Sequence, residues 1–519
     1  MYKWILVPVL IIATALRLIG IYPSHPPYHS DEGMGYAQGI SIVQEKTLDA
    51  HGYPLALAYP NLVPLVNAAA FKFIFIPLSW INFYLTNVDK VMDGLVRVPL
   101  EKNDYLRIFQ LNIIGERELN ALSWGRILTA VFGIGVVFLS YLLARDLFSK
   151  SAGLITVLLV AVNFRQVLNS HIGLPDIYNA FFLLASLFFS LKISKSNKTL
   201  DYFWAGIFIG LSISVKFHIY SILPFLIMYL ASAIERKVKF KDVVFSSNLW
   251  LAAISSLAIF LAINPIHFIK IEDTLYKLTD VSRKYSVGKF MINTYPYWYL
   301  FNIGLGKASS IFIVLGMILT AIKKPKVFVF LMSAIGVFFF VVTYYTNGGF
   351  YTRNFVSITP VLLVFPGYLL SGLLEVRKRT LKYAGLFVFA VLLSASSYEN
   401  LSKSVIVALD YSKPWNYQVL SAWLAKNIPP NSKIAAHSSV PLPVVGVERL
   451  PFEPTQAFSL QEFIDKKADF AIINFDWASN DFYGWMNRFD LKSWGKPKTE
   501  LESQYSAMAI RELSEFGIY

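Results

Sequence analysis

The chain has 519 residues, of which 55% are hydrophobic, 16% aromatic and 15% charged, with a formal net charge of +14. Soluble domains carry roughly 25% charged residues, so an ordinary cytosolic enzyme is excluded, and 28 Gly with 24 Pro exclude collagen-like or low-complexity material. Cysteine is absent, which removes disulfides, thiolate nucleophiles and Cys-based zinc sites.

Apolar blocks long enough for a ~30 Å hydrocarbon layer recur along the chain. The first runs from Trp4 to Ile21 behind Lys3, lacks a small-x-small cleavage site, and reads as an anchored span. The predicted spans are 4–22, 125–144, 152–163, 177–191, 203–215, 217–234, 247–264, 297–321, 327–343, 355–374 and 383–397, eleven in all. A further apolar block, 61–84, is broken by Pro64, Pro77, Asn67 and Lys72.

Charge decides how that block is read. With the N-terminus in the cytoplasm and 61–84 uncounted, seventeen Lys and Arg fall in inner segments against five acids, a balance of +12 out of +14. Short cytoplasmic loops are expected to be basic, and counting 61–84 as a span reverses the bias. The block is therefore expected along the outer interface as an amphipathic or re-entrant helix. The positive charge records topology, and no nucleic-acid partner is implied.

Three segments lie outside. Residues 23–123 form a long first outer loop, in which 85–123 reads as an insertion, and 265–296 form a second. Residues 1–399 are thus expected as the membrane domain and 400–519 as a small extracytoplasmic α/β domain. Within the tail, Gln418 to Lys426 and 460–467 read as helices, and Ile434–His437 and Phe470–Phe475 as short strands.

The residues suited to chemistry sit on the outer side. Asp31-Glu32 follows the first span by ten residues, between Ser30 and Gly33. The pair either caps a helix or places a carboxylate just above the bilayer as base or metal ligand. Asp176, after His171 and Pro175, is either an N-cap or a site carboxylate. Lys216 and His218 interrupt the apolar stretch 203–234, as lipid anchors or phosphate ligands. Arg353, after Gly348-Gly349, is an interfacial anchor or a phosphate fork. All seven histidines fall on the outer side. His with carboxylates suits a divalent metal, although no HxxxH or HExxH spacing occurs. No Walker or dinucleotide fingerprint occurs either, so cytoplasmic ATP and nucleotide sugars are not expected substrates.

In order, these motifs resemble the GT-C fold glycosyltransferases, in particular the protein O-mannosyltransferase and lipid A aminoarabinose transferase group. The resemblance spans about 400 residues: Asp31-Glu32, Tyr59-Pro60, Gly125 to Leu128, Tyr141 to Phe148, Ala152-Gly153, Leu174 to Asp176, Gly210-Leu211 to Lys216, and Arg353 to Pro360. It implies a polytopic helical membrane enzyme that performs an inverting transfer of a sugar from a polyprenyl-phosphate donor. The acceptor would be a lipid, glycan or protein on the extracytoplasmic side. It also implies Asp31 as base with Glu32 its motif neighbour, and Arg126, Asp176, Lys216 and Arg353 near the donor phosphate or cavity rim, with His171 and His218 beside them. In the aminoarabinose branch a carboxylate and a His bind a metal, for which His267 is the candidate here; the mannosyl branch uses none. A transporter or lipid flippase is the alternative, disfavoured by the lack of mid-span charges and repeated halves. A third reading is a membrane scaffold whose outer domain binds a partner.

Overall fold

The computed structural model describes residues 2–21, 30–48, 57–86, 113–114, 117–118, 121–285, 295–345, 352–374 and 379–412, with pieces of the tail at 423–424, 426–429, 431–436, 448–451, 467 and 469–472. The chain divides into two compact units. One comprises Met1–Lys284, Pro296–Tyr345 and Thr352–Ser412; the other comprises Tyr285–Tyr295, Thr346–Tyr351 and Lys413–Tyr519.

The larger unit is helical. Helix α1 (Tyr2–Leu18) is followed by a 3-10 turn (Ser30–Met34) and α2 (Tyr36–Glu45). The apolar block 61–84 is helical almost throughout: α3 (Leu62–Ala70) passes through a π turn at Phe71–Phe75 into α4 (Ile76–Thr86). A two-residue strand pair, β1 (Ile113–Ile114) with β2 (Arg117–Glu118), falls inside the stretch read as an insertion. Then come α5 (Ala121–Leu147), α6 (Lys150–Val162), α7 (Phe164–Ser170), α8 (Pro175–Ser196), α9 (Thr199–Lys216), α10 (Ile222–Glu235), α11 (Phe240–Val244), α12 (Ser247–Ile263), α13 (Pro265–Ile269) and α14 (Ile271–Tyr285). After α15 (Tyr295–Tyr299) and a π turn at Leu300–Gly304, α16 (Lys307–Lys323), α17 (Pro325–Tyr345), α18 (Thr359–Leu362), α19 (Val364–Leu374) and α20 (Arg379–Tyr411) complete it.

Among the described residues, four helical stretches are long and apolar enough to cross a membrane: Leu122–Leu147, Pro175–Ser196, Phe240–Ile263 and Tyr383–Leu409. Two bent pairs bring this to six if each is one span, and five shorter apolar helices accompany them. The bends depart from the sequence expectation. Span 297–321 turns by 111° between Gly304 and Lys307, where Gly306 adopts φ +81°, a conformation glycine takes without steric penalty. After span 152–163 the chain turns by 56°, because Asn163 leaves helical geometry and caps α7 by accepting from the Gln166 N–H (3.2 Å). The last helix continues to Tyr411, well past 397.

Packing explains which helices touch. Helices α9 and α12 cross very closely because Gly206 and Gly210 face Ala252, Ser255 and Ser256; a Cβ on Gly210 would collide with the Ser256 carbonyl oxygen. Small residues let backbones approach in this way. Helix α2 meets α3 through Gly39. A cluster of Ile40, Ala70, Phe71, Phe75 and Trp124 then ties both to α5, with the Phe75 and Trp124 rings stacked at 4.4 Å.

In the smaller unit the described strands β3 (Lys433–Ala436), β4 (Glu448–Pro451) and β5 (Phe470–Ile472) form a parallel sheet in the order β4-β3-β5. Of the strands expected at 434–437 and 470–475, the described residues lie within it. The helix expected at 460–467 lies outside the described residues except for Lys467, and His25, His29, His51 and His437 lie outside them altogether.

Candidate active site

The acidic motif folds as the 3-10 turn Ser30–Met34. The side chain of Asp31 lies outside the described residues; that of Glu32 is fully buried. Its carboxylate accepts two parallel hydrogen bonds from Arg126, Nε to Oε1 and Nη2 to Oε2, each 2.9 Å. Oε1 also accepts from the Gly173 N–H at 2.9 Å. A bidentate guanidinium fork with a third donor is the arrangement that compensates a buried carboxylate. It joins three segments: the acidic turn, the start of α5, and the loop before α8.

Three residues beyond Gly173 stands Asp176. The sequence left cap and site open; the structure gives the N-cap position to Leu174, with Pro175 opening α8 and Asp176 in its first turn. The Asp176 carboxylate receives the Lys216 ammonium on Oδ1 (2.5 Å), while Arg353 Nε stands 4.0 Å from Oδ2. Lys216 also donates to Asn354 Oδ1 at 3.1 Å. One carboxylate thus faces two cations. The spans expected at 203–215 and 217–234 end and begin around this point: Lys216 closes α9, Phe217 takes the left-handed conformation (φ 52°), and α10 starts only at Ile222. His218 lies in that turn. Burial, reinforced by Lys216 and opposed by Asp176, pushes its pKa down to about 3, so its ring is neutral at physiological pH.

The other histidines have structural partners. His171 ends α7; its Nδ1 lies 2.9 Å from the Val167 carbonyl and its Nε2 2.7 Å from that of Ile19. Its ring stacks on Tyr411 with centroids 4.9 Å apart. Burial lowers its pKa, against the two carbonyls that raise it. His267, the candidate metal ligand, uses Nε2 on the Tyr59 carbonyl (2.9 Å) and sets its ring edge-on to Phe217. Beside it the Asn264 Oδ1 accepts from the Asn61 N–H at 2.8 Å. These two contacts fasten the Tyr59-Pro60 step into α3 to the end of α12. Among the described residues no group of three His, Asp or Glu could hold a metal. With Nε2 of His267 engaged by Tyr59, Nδ1 is the ring nitrogen left to meet another group.

Arg17 belongs to none of the motifs read from the sequence. It is fully buried and donates to the carbonyls of Ala13, Val160 and Ala161, closing the C-terminal ends of α1 and α6. The available signal was that no other Lys, Arg, Asp or Glu occurs between Lys3 and Asp31.

Fold and site together define a class. The architecture is that of the GT-C fold, and the chain is an integral-membrane glycosyltransferase. Residues 105–264 match the profile of the dolichyl-phosphate-mannose-protein mannosyltransferase family, a match that begins inside the stretch read as an insertion. The structure is similar to that of ArnT from Cupriavidus metallidurans bound to undecaprenyl phosphate (TM-score 0.54, 12% identity, 85% of this chain and 84% of that one). It is similar to the apo oligosaccharyltransferase of Archaeoglobus fulgidus (TM-score 0.51, 13% identity, 94% and 71%). It also resembles AglB of the same organism in complex with an inhibitory peptide and a dolichol-phosphate (TM-score 0.50, 13% identity, 95% and 71%). No curated protein matches the chain by sequence.

Proposed function

We propose that this glycosyltransferase moves a sugar from a polyprenyl-phosphate donor to a lipid, glycan or protein acceptor on the extracytoplasmic face, with inversion. The observation that carries the reading is that Lys216 and Arg353 converge on the carboxylate of Asp176, a pair of cations at one place of the kind that receives the phosphate of a lipid-linked sugar. The similar structures are bound to undecaprenyl phosphate and to a dolichol-phosphate, which supports the donor class.

The roles divide as follows. A glycosyl phosphate leaves readily once its developing charge is neutralised, the part assigned to Lys216 and Arg353. Glu32 is engaged by Arg126 and Gly173, so it acts as a positioning residue. The base that takes the acceptor hydroxyl proton is its neighbour Asp31. The proton moves to that carboxylate as the acceptor oxygen forms its bond to the anomeric carbon and the phosphate departs on the opposite face.

In this reading the N-terminus is cytoplasmic, residues 1–399 carry the catalysis, 61–84 lies along the outer interface, and 400–519 is extracytoplasmic. The test is a lipid-donor transfer assay with Asp31→Asn in the full chain. Transfer is abolished while expression and unfolding temperature stay unchanged; near-normal turnover defeats the assignment of Asp31. Equilibrative passage of the lipid across vesicles without sugar transfer would favour a flippase.

A further inference from the structure

The three elements that bring charge to the donor site meet a second time. Asp176, Lys216 and Arg353 form the charged cluster; three or four residues further along each segment stand Asn179, Tyr220 and Ser357. All three are almost completely buried. Asn179 Nδ2 donates to the Tyr220 hydroxyl and to Ser357 Oγ, the latter at 2.9 Å. The opposite orientation of the amide places Oδ1 where Nδ2 stands, and it then accepts from both hydroxyls, so the link holds either way. The Tyr220 ring is held between His218 (5.0 Å) and Phe338 (5.9 Å). The Ser357 turn is pinned from another side by the Gln166 Nε2 hydrogen bond to the Val356 carbonyl (2.6 Å).

We infer that Asn179, Tyr220 and Ser357 are positioning residues that set the spacing of Asp176, Lys216 and Arg353 for a lipid-linked phosphate. The inference rests on the proposed donor site and deepens it. A phosphate arriving among the two cations competes with Asp176 for them, so the charged contacts must rearrange at the moment of binding. The neutral layer carries no charge and need not change when they do. It joins α8, the turn after α9 and the 352–357 turn through one amide, and in a buried setting such bonds are strong and leave costly orphans when broken. The spacing is thereby held while the ion pairs exchange partners.

The test measures binding of sugar-free polyprenyl phosphate to the full chain in lipid nanodiscs, together with KM and kcat in the transfer assay. Tyr220→Phe and Ser357→Ala each weaken binding about 3- to 10-fold and raise the donor KM by the same factor. In both variants kcat at saturating donor stays unchanged, and Ser357→Thr restores affinity. The double variant Tyr220→Phe with Asn179→Ala is no weaker than Asn179→Ala alone, because both act through one amide. If both hydroxyl-removing variants bind normally while Lys216→Ala binds weakly, the positioning role is overturned and the phosphate site stands. If Lys216→Ala itself binds normally, the phosphate site fails and this inference with it. A lowered unfolding temperature with unchanged affinity also overturns it.

Discussion

Glu32 and Arg126, 94 residues apart in sequence, meet through two parallel hydrogen bonds of 2.9 Å in the interior of the helical unit. The pair fixes the acidic turn against α5, and the Gly173 N–H on the same carboxylate fixes it against the loop that leads to Asp176. Both charge clusters of the site are therefore linked through one short loop.

Removing one member of a buried pair strands the other's charge. Glu32→Ala should destabilise the chain by about 3–5 kcal/mol, read as a lowered unfolding midpoint in detergent. Combining it with Arg126→Ala should recover part of that loss, since no charge is then left alone. Strictly additive effects would contradict the pairing.

The proposed donor cluster predicts a different split. Lys216→Met and Arg353→Met should each weaken donor binding roughly 10- to 100-fold, the range of a hydrogen bond to a charged group at about 1.5–3 kcal/mol. A companion Asp176→Asn keeps the shape but leaves Lys216 without its carboxylate; its donor KM should fall or hold while kcat drops. Steady-state kinetics with varied lipid donor separates these cases.

Acid sensitivity follows from the histidines. His171, His218 and His267 are all shifted below the usual value, chiefly by burial. A depressed folded-state pKa means the unfolded chain binds protons first as pH falls, so stability is full above about 6.5 and declines below it. For His218 the decline extends towards pH 3, at up to about 1.4 kcal/mol per pH unit. His218→Gln should flatten the pH dependence of the unfolding temperature between about pH 6.5 and 5; an unchanged slope would assign it elsewhere.

The close crossing of α9 and α12 is sensitive to a single methyl group. Gly210→Ala drives a carbon into the Ser256 carbonyl oxygen, so one helix must shift, at about 1–3 kcal/mol. Because Asn264 at the end of α12 donates to Ser214 on α9 (3.0 Å) and accepts from Asn61, the shift should carry to the entry of α3. Increased protease cleavage around residues 57–61 would report it.

Much of this was legible in the chain itself. Apolar length and the placement of Lys and Arg depend on residue types alone, because the cost of taking charge into hydrocarbon is the same wherever the residue comes from. Hence the helical spans, the membrane class and the position of Glu32, Asp176, Lys216 and Arg353 at or near helix ends could be read directly. Partnership could not. Asp176 looks equally suited to cap a helix or to pair with a lysine, and only the packing of α8 against the turn after α9 selects Lys216. Likewise Glu32 and Asp31 are neighbours of one chemical type, and tertiary contact alone commits Glu32 to Arg126. His267 suits a metal by type, and only the fold shows that its Nε2 meets the Tyr59 carbonyl. Local composition determined where polar groups can exist in this protein; contacts between residues far apart in sequence decided which of them are compensated by one another.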